Sequence, residues 1–526
     1  MSRFVLALTL GAGLTLGGCQ TLDEAGESLG LSDGGPEVTT SHYEEMTADA
    51  PTGPCGGDGA DAVQMARVDF GLGVVREPRL EAYMNGILKR LVAASPRPDC
   101  QARAFVLPNN DFTTVATKGG GILIPLGLLR EFKSEDEIAA VLGHELSHIL
   151  YGHHDSDSFL ETQDDLAKGL NALNGATMLL GQMAGSDVVS SLNSTTQAAR
   201  AVYLVSETVV GPAWTRDQED QADFLGTDLM TKAGYNPTGM SRVMDVLIAY
   251  EKLIEERAEA QSVLDDPANQ EALSNSVMKL AEGGATGSMS TGDAIEAAAG
   301  LIQVGAAWIS TSDTAREHRS AEERKEQVSE YIRQFHRDDR RRRFTEDAWK
   351  AIHGGGVTGT VLAHYEAASQ ARKQIYAGEV DPALAAARTS VGSPTENAPY
   401  PRLAFFEVRK MQGRRDKARQ NLELAMRDPE VPWSVYRNMA ELELEQGRTD
   451  RAVATLDKAR QVYGDPVTIV PYAITVHRRS GQADQVGKLL RRCEQDGTRA
   501  MFQACLTSAQ VSEEQYRQGM FLIPSS

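Results

Sequence analysis

His144-Glu145-Leu146-Ser147-His148 sets two imidazoles four residues apart, with a carboxylate directly after the first. On a helix, residues four apart share a face. Both rings can then reach one divalent metal, with Glu145 beside them to take a proton from a water held there. The chemistry such a set supports is metal-assisted hydrolysis. With 10 His in 526 residues, chance would produce the string on the order of one time in a hundred. A surface helix that happens to carry two histidines, or a buried pair satisfied by backbone carbonyls, is the plainer reading of the same residues.

The element that must position them is legible. Ser134 and Glu137 have capping-box spacing, and Ile138, Val141, Leu142, Ile149 and Leu150 recur at helical spacing until Gly152. A catalytic zinc site takes three protein ligands and keeps one open position, so two histidines are insufficient. Downstream, Glu219 and Asp223 lie four apart on a second predicted helix that stops at Gly234, with Asn236-Pro237 beyond. Glu219 is the expected third ligand. Asp223 is expected to orient a histidine ring through its other nitrogen or to tie the two helices together. Taken alone, this acidic helix also reads as a solvated face.

His144, Glu145 and His148, followed by Glu219 and Asp223 within TRDQEDQAD (215–223), resemble the gluzincin zinc metallopeptidases of family 48, which include HtpX-like and Oma-like enzymes. The likeness extends through YMNGILKRL (83–91), VATKGGGILIPLGLL (115–129), SEDEIAAVLGHELSHILYGH (134–153) and REHRSAEER (316–324), about half of the chain. It implies an α+β, mostly helical, zincin-type protease domain with a small β-sheet. It also implies one Zn2+ per chain on His144, His148 and Glu219, and Glu145 as general base. In the last segment the family commonly has His-Pro and then Glu-Arg, where this chain has His318-Arg319 and then Glu323-Arg324. His318 is the candidate for steadying the oxyanion or for filling the open metal position at rest. His153 is also a suggestive neighbour of the motif, although His153 and His154 follow the helix and can simply complement its C-terminal dipole.

A net charge of −20 spread along the chain argues against nucleic acid as a partner. The one basic run, Arg340 to Arg343, follows Asp338 and Asp339 and reads as a solvated helix face, or as a patch that docks on an acidic surface or lipid head groups. Residues 1–18 read as a signal peptide: Arg3 precedes an apolar stretch from Phe4 to Leu16, and Leu16-Gly17-Gly18-Cys19 resembles a bacterial lipobox. Lipid on Cys19 would anchor the protein in a membrane, and Gln20 at the next position points by resemblance to the outer membrane, with the chain facing the periplasm. An ordinary cleaved secretory signal is the alternative. Cys55, Cys100, Cys493 and Cys505 remain, enough for two disulfides in three connectivities, of which sequence proximity favours Cys55–Cys100 and Cys493–Cys505.

Along the chain, residues 19–58 read as a flexible tether, 59–356 as the metallopeptidase domain and 361–515 as a TPR-like helical repeat domain. The protease region carries insertions at 155–213 and 260–312. The first is a lid or plain packed helices, and its apolar stretch Leu173–Ala184 is too broken by Asn174 and Gln182 to span a membrane. Leu80, Met84, Ile87 and Leu91 trace a helix face; Ala104–Leu107, Thr113–Thr117 and Ile122–Ile124 read as strands, with Gly119-Gly120-Gly121 turning the chain. Gly413, Gly447 and Gly481 recur at 34-residue spacing, with Ala418, Ala452 and Val486 five positions later and Leu422, Leu456 and Leu490 after them. An imperfect earlier unit surrounds Gly378, Ala383 and Ala387. Such repeats offer a concave surface to peptides or partner proteins. The expected partners are protein or peptide substrates and, through the repeats, outer-membrane assembly machinery. The plan is similar to periplasmic proteases that assist outer-membrane β-barrel assembly. The rival is a scaffold or chaperone lipoprotein whose zinc serves structure alone.

Overall fold

The computed structural model describes residues 40–155, 214–261 and 320–519. The signal peptide, Cys19, His318, and nearly all of both insertions lie outside the described residues. No described helix is long and apolar enough to cross a membrane.

Helices α1 (His42–Ala48) and α2 (Ala60–Arg67) lead to α3 (Pro78–Ala94). Glu77 starts α3 by accepting from the Leu80 amide at 2.6 Å, Pro78 takes the first turn, and Leu80, Met84, Ile87, Leu88 and Leu91 form its buried stripe. A three-stranded sheet follows, in the order β1 (Arg103–Leu107), β3 (Gly121–Pro125), β2 (Val115–Ala116). β1 runs parallel to β3 with Arg103 opposite Gly121, and β2 runs antiparallel to β3 with Val115 opposite Leu123. β3 is buried along its whole length, as a central strand with both faces covered must be.

The strand expected over Thr113–Thr117 contracts to Val115–Ala116. Residues before it bond elsewhere: the Thr114 hydroxyl donates to Glu145, and Phe112 stacks on Tyr250 at 4.2 Å. A second correction concerns the stretch expected to be tether up to residue 58. Its last part is built into the fold, because α1 docks through the Tyr43 amide on Asp228 Oδ2 at 2.8 Å and Cys55 is disulfide-bonded to Cys100. Composition missed this because the holding groups are scattered polar contacts, such as the His42 amide on the Tyr331 hydroxyl at 2.9 Å, and a disulfide, with Met46 as the one buried residue of α1 rather than an apolar stripe.

After α4 (Leu126–Glu131), α5 (Glu135–Tyr151) runs through the centre of this region. Its start is the expected one, with Glu137 Oε2 accepting from the Ser134 amide at 2.7 Å, and Gly152 ends it in the left-handed conformation. Three buried carboxylates sit in its first turn, where the helix dipole favours negative charge. Glu135 accepts from the Tyr83 and Tyr235 hydroxyls, both at 2.7 Å, and Asp136 from the amides of Asn236 at 2.7 Å and Thr345 at 2.6 Å. Helices α6 (Arg216–Lys232), α7 (Thr238–Gln261) and α8 (Ala321–Phe335) complete the packing: α6 and α7 lie on α5, and α8 on α6 and α7.

The basic run is not a helix face. Asp339–Arg341 form a short 3-10 turn, and Arg342 Nη1 donates to the Thr231 and Tyr235 carbonyls, the latter at 2.9 Å, so it ties this turn to the last turn of α6 and the loop just beyond it.

Beyond α9 (Glu346–His353) the elements among the described residues are helices: α10 (Gly356–Tyr376), α11 (Val380–Ser390), α12 (Pro399–Met411), α13 (Arg415–Ala425), α14 (Trp433–Glu445), α15 (Thr449–Tyr463), α16 (Val470–Arg479), α17 (Ala483–Asp496), α18 (Arg499–Ala509) and α19 (Glu513–Arg517). Helices pack in consecutive pairs, α10 on α11, α12 on α13 and α14 on α15, while α16 packs on both α17 and α18. The small and apolar positions of the 34-residue register, Ala418, Leu422, Ala452, Leu456, Val486 and Leu490, are buried, while its glycines Gly413, Gly447 and Gly481 are exposed and have positive φ at the turns between helices. Cys493 and Cys505 join α17 to α18 with a Cα–Cα distance of 6.5 Å. Val68, after α2, belongs to the same apolar cluster as these later helices, and Arg67 pairs with Glu430 at 3.0 Å. From His42 onward the described residues belong to one compact unit.

Candidate metal centre

The site lies between α5 and the first turns of α6, beside the point where the two helices cross. The crossing is tight because both helices present glycine there: a Cβ on Gly226 would lie 2.8 Å from the His144 amide nitrogen, and one on Gly143 2.9 Å from the Gly226 carbonyl. Thr215 opens α6 with a reciprocal cap to Gln218 at 3.3 and 3.0 Å, which sets the first turn that carries Glu219. These two devices bring side chains 71 or more positions apart in the chain into one cluster.

His144 Nε2 and His148 Nε2 are 3.2 Å apart, Glu219 Oε2 is 3.7 Å from the first and Glu219 Oε1 is 3.8 Å from the second. Among the described residues, these three form a group that could hold a metal ion. Donors each about 2.1 Å from one tetrahedral zinc lie about 3.4 Å from each other, and the spacing here matches that. Two ring nitrogens and a carboxylate converging on one point are also a donor set that calls for a cation, and two-nitrogen, one-oxygen ligation suits zinc.

Each ligand candidate is held from behind. His144 Nδ1–H donates to Asp223 Oδ1 at 2.8 Å. Arg324, on the first turn of α8, grips that same carboxylate with Nε to Oδ2 at 2.8 Å and Nη2 to Oδ1 at 2.7 Å, and its Nη1 lies 3.1 Å from Glu219 Oε2. Burial alone would raise the Asp223 carboxyl, but the Arg324 guanidinium and the His144 hydrogen bond outweigh it and hold the group down to about 2. On the other side His148 is fully buried, stacked on Trp214 at 4.6 Å, with its Nδ1 2.8 Å from His153 Nδ1. Burial keeps His148 neutral by pushing its pKa well below the ordinary histidine value, and pulls His153 down to about 4. Neutral imidazole is the form that ligates.

Glu145 is buried beside the cluster and accepts from the Thr114 hydroxyl. Burial raises its carboxyl above the ordinary glutamate value, against the opposing charge of His144 and the hydrogen bond from Thr114. A carboxylate raised in this way holds a proton more firmly than an exposed one, the property a general base needs.

The residues expected from the sequence that fall among the described ones therefore meet in one place: His144, Glu145, His148, Glu219 and Asp223. Four participants carried no such expectation. Arg324 lies in the quoted REHRSAEER segment, and the Ser320-x-x-Glu323 capping signature locates its helix, but nothing local says that its guanidinium faces Asp223. Thr114 was read as part of a strand. His153, which follows α5 and can complement its dipole, also faces His148. Gln221 accepts from His153 Nε2 at 3.0 Å. His154 is the fellow of His153 in sequence only, since its Nε2 donates to the Ala116 carbonyl at 2.9 Å.

Comparison with known proteins bears directly on this cluster. The model of peptidase family M48 matches residues 63–330, just over half of the chain and the whole span that holds the cluster. The chain belongs to peptidase family M48. Among curated M48 relatives it is 23% identical over 175 residues to the beta-barrel assembly-enhancing protease of Escherichia coli (strain K12), covering 33% of this chain and 34% of that protein. It is 28% identical over 163 residues to the metalloprotease LoiP of the same strain, covering 31% of this chain and 56% of LoiP. It is 25% identical over 169 residues to the mitochondrial metalloendopeptidase OMA1 of Schizosaccharomyces pombe, covering 32% and 44%. The match thus spans about a third of the length of the beta-barrel assembly-enhancing protease.

Proposed function

We propose that the chain is a zinc-dependent endopeptidase of the bacterial cell envelope, with His144, His148 and Glu219 as metal ligands and Glu145 as general base. The observation that carries this reading is the convergence of two ring nitrogens and a carboxylate from two helices, 3.2 to 3.8 Å apart, with a buried glutamate adjacent. Zinc held by these three residues would supply Lewis acidity, making a water acidic enough to lose a proton near neutral pH.

The protein groups do the rest. Thr114 holds Glu145 Oε1 and leaves the other oxygen to act. Glu145 takes a proton from the attacking water as that water's oxygen bonds to the scissile carbonyl carbon. It then hands the proton to the departing amine nitrogen as the C–N bond breaks. Asp223, fixed by Arg324, keeps His144 in the tautomer whose Nε2 lone pair faces the ligand cluster. His318 keeps its proposed part as oxyanion support or resting-state ligand.

The same reading takes residues 59–356 as the peptidase domain and 361–515 as a TPR-like solenoid that presents clients or binds outer-membrane assembly machinery. The paired helices and the buried 34-residue register favour a repeat architecture. Lipid on Cys19 would hold the protein at the outer membrane, facing the periplasm, where misfolded or stalled envelope proteins are its substrates.

The test is Glu145→Gln in the full chain. Zinc content and circular dichroism should match the parent, while cleavage of casein or of a denatured outer-membrane protein falls at least a hundredfold. Undiminished cleavage would refute the mechanism. A parent that holds zinc yet cleaves nothing would favour the scaffold reading.

A further inference from the structure

We propose that His153 and Gln221 are positioning residues that set the tautomer of His148 and thereby aim its Nε2 lone pair at the metal; the inference rests on the zinc reading above. The two candidate ligand histidines are backed by different chemistry. His144 is backed by an ion pair, Asp223 with Arg324, whereas His148 is backed by neutral groups from two elements: His153, just beyond α5, and Gln221, on the first turns of α6.

The geometry allows one consistent proton arrangement for ligation. His148 Nδ1 and His153 Nδ1 are 2.8 Å apart, so one proton lies between them. The next link is His153 Nε2 to Gln221 Oε1 at 3.0 Å. An amide oxygen only accepts, so His153 carries its proton on Nε2, and neutral His153 then offers a lone pair on Nδ1. His148 must donate from Nδ1, which leaves the Nε2 lone pair free, and that atom is the one 3.2 Å from His144 Nε2 and 3.8 Å from Glu219 Oε1. Reversing the amide would reverse every link: Gln221 would donate to His153, His153 to His148, and His148 Nε2 would carry a proton into the metal position. The orientation of a side chain on α6 therefore determines whether a histidine on α5 can ligate.

The ring has no other freedom that would make this backing redundant. His148 is fully buried, and Trp214 lies against its face at 4.6 Å with planes 20° apart, so rotation out of the chain of hydrogen bonds is blocked. Gln221 also stands two residues after Glu219, so one helix turn carries both a ligand candidate and the group that directs another ligand.

The experiment uses the full chain and zinc itself, with affinity measured by competition against a chelating dye and the ligand field read from the visible spectrum of the cobalt-loaded protein. His153→Leu removes the acceptor and should weaken zinc binding about tenfold to a hundredfold and alter the cobalt spectrum. His153→Asn returns an acceptor oxygen near the place of Nδ1 and should recover most of that loss. Gln221→Glu can only accept and should bind zinc within about threefold of the parent, whereas Gln221→Lys can only donate and should bind at least tenfold more weakly. Equal zinc affinity and an unchanged cobalt spectrum in His153→Leu would overturn the inference, as would Gln221→Lys behaving like Gln221→Glu. A parent chain that takes up no zinc would overturn the functional reading itself, and a zinc-binding parent with insensitive variants would overturn the inference alone.

Discussion

Gly226→Ala should weaken the metal centre without replacing any residue in it. The added Cβ would meet the His144 nitrogen at 2.8 Å, and the Gly143 carbonyl carbon and His144 Cα at 3.0 Å, all backbone atoms that no rotamer change can move. Ordinary contact begins near 3.4 Å, so α6 must retreat from α5 by about 0.6 Å. Glu219 lies seven residues before Gly226, two helical turns or about 10 Å away, and moves with the helix. Metal–ligand distances tolerate about 0.2 Å, so the carboxylate leaves the reach of the histidine pair. The overpacking costs about 1–3 kcal/mol, offset by up to about 1 kcal/mol because alanine is the better helix former. We expect a net loss of about 1–2 kcal/mol in denaturant unfolding and a zinc affinity lowered at least tenfold in dye competition. Gly86→Ala is the control: it sits on the exposed face of α3 with nothing within 4 Å of the new Cβ, and should stabilise the chain by about 0.5–1 kcal/mol with zinc affinity unchanged. If Gly226→Ala binds zinc within twofold of the parent and unfolds at the same denaturant concentration, close helix approach is not what positions Glu219.

Arg324→Met leaves the Asp223 and Glu219 carboxylates buried without their shared cation, and should cost about 3–5 kcal/mol in urea unfolding of the zinc-free protein; a loss under 1 kcal/mol would show that the guanidinium does not hold the cluster. Asp69 lies after α2 near Thr468, and burial pushes its carboxyl up to about 6 from an ordinary value of 3.8. A raised carboxyl binds its proton better when folded, so its contribution to stability is fully present below about 4 and is lost as pH rises through about 6. Asp69→Asn should therefore be about 2–3 kcal/mol more stable than the parent at pH 7.5, with the gap closing towards pH 4; a gap that does not change across that range would refute the burial argument.

What the amino-acid order settled by itself was local. Periodicity and caps placed His144, Glu145 and His148 on one helix and Glu219 and Asp223 on another, because helix faces and helix ends depend on residues within four positions of each other. The same locality made the short disulfide pairs the favoured ones, made the 34-residue register of buried small and apolar residues visible, and brought the central sheet strand into view. Tertiary structure alone decided how the two helices meet: Gly143 against Gly226 is a contact across 83 positions, and neither glycine differs in sequence from any other. It also decided that Arg324 clamps Asp223, that His153 turns towards His148 rather than only towards the helix dipole, that Arg342 closes the end of α6 instead of facing water, and that α1 is bound by Asp228. Apart from the glycine packing and the His148–His153 link, which spans five positions, the deciding interaction is a directional polar bond between distant segments. Sequence pattern records which face of an element is apolar, but a hydrogen bond has no pattern until the fold has chosen its partner.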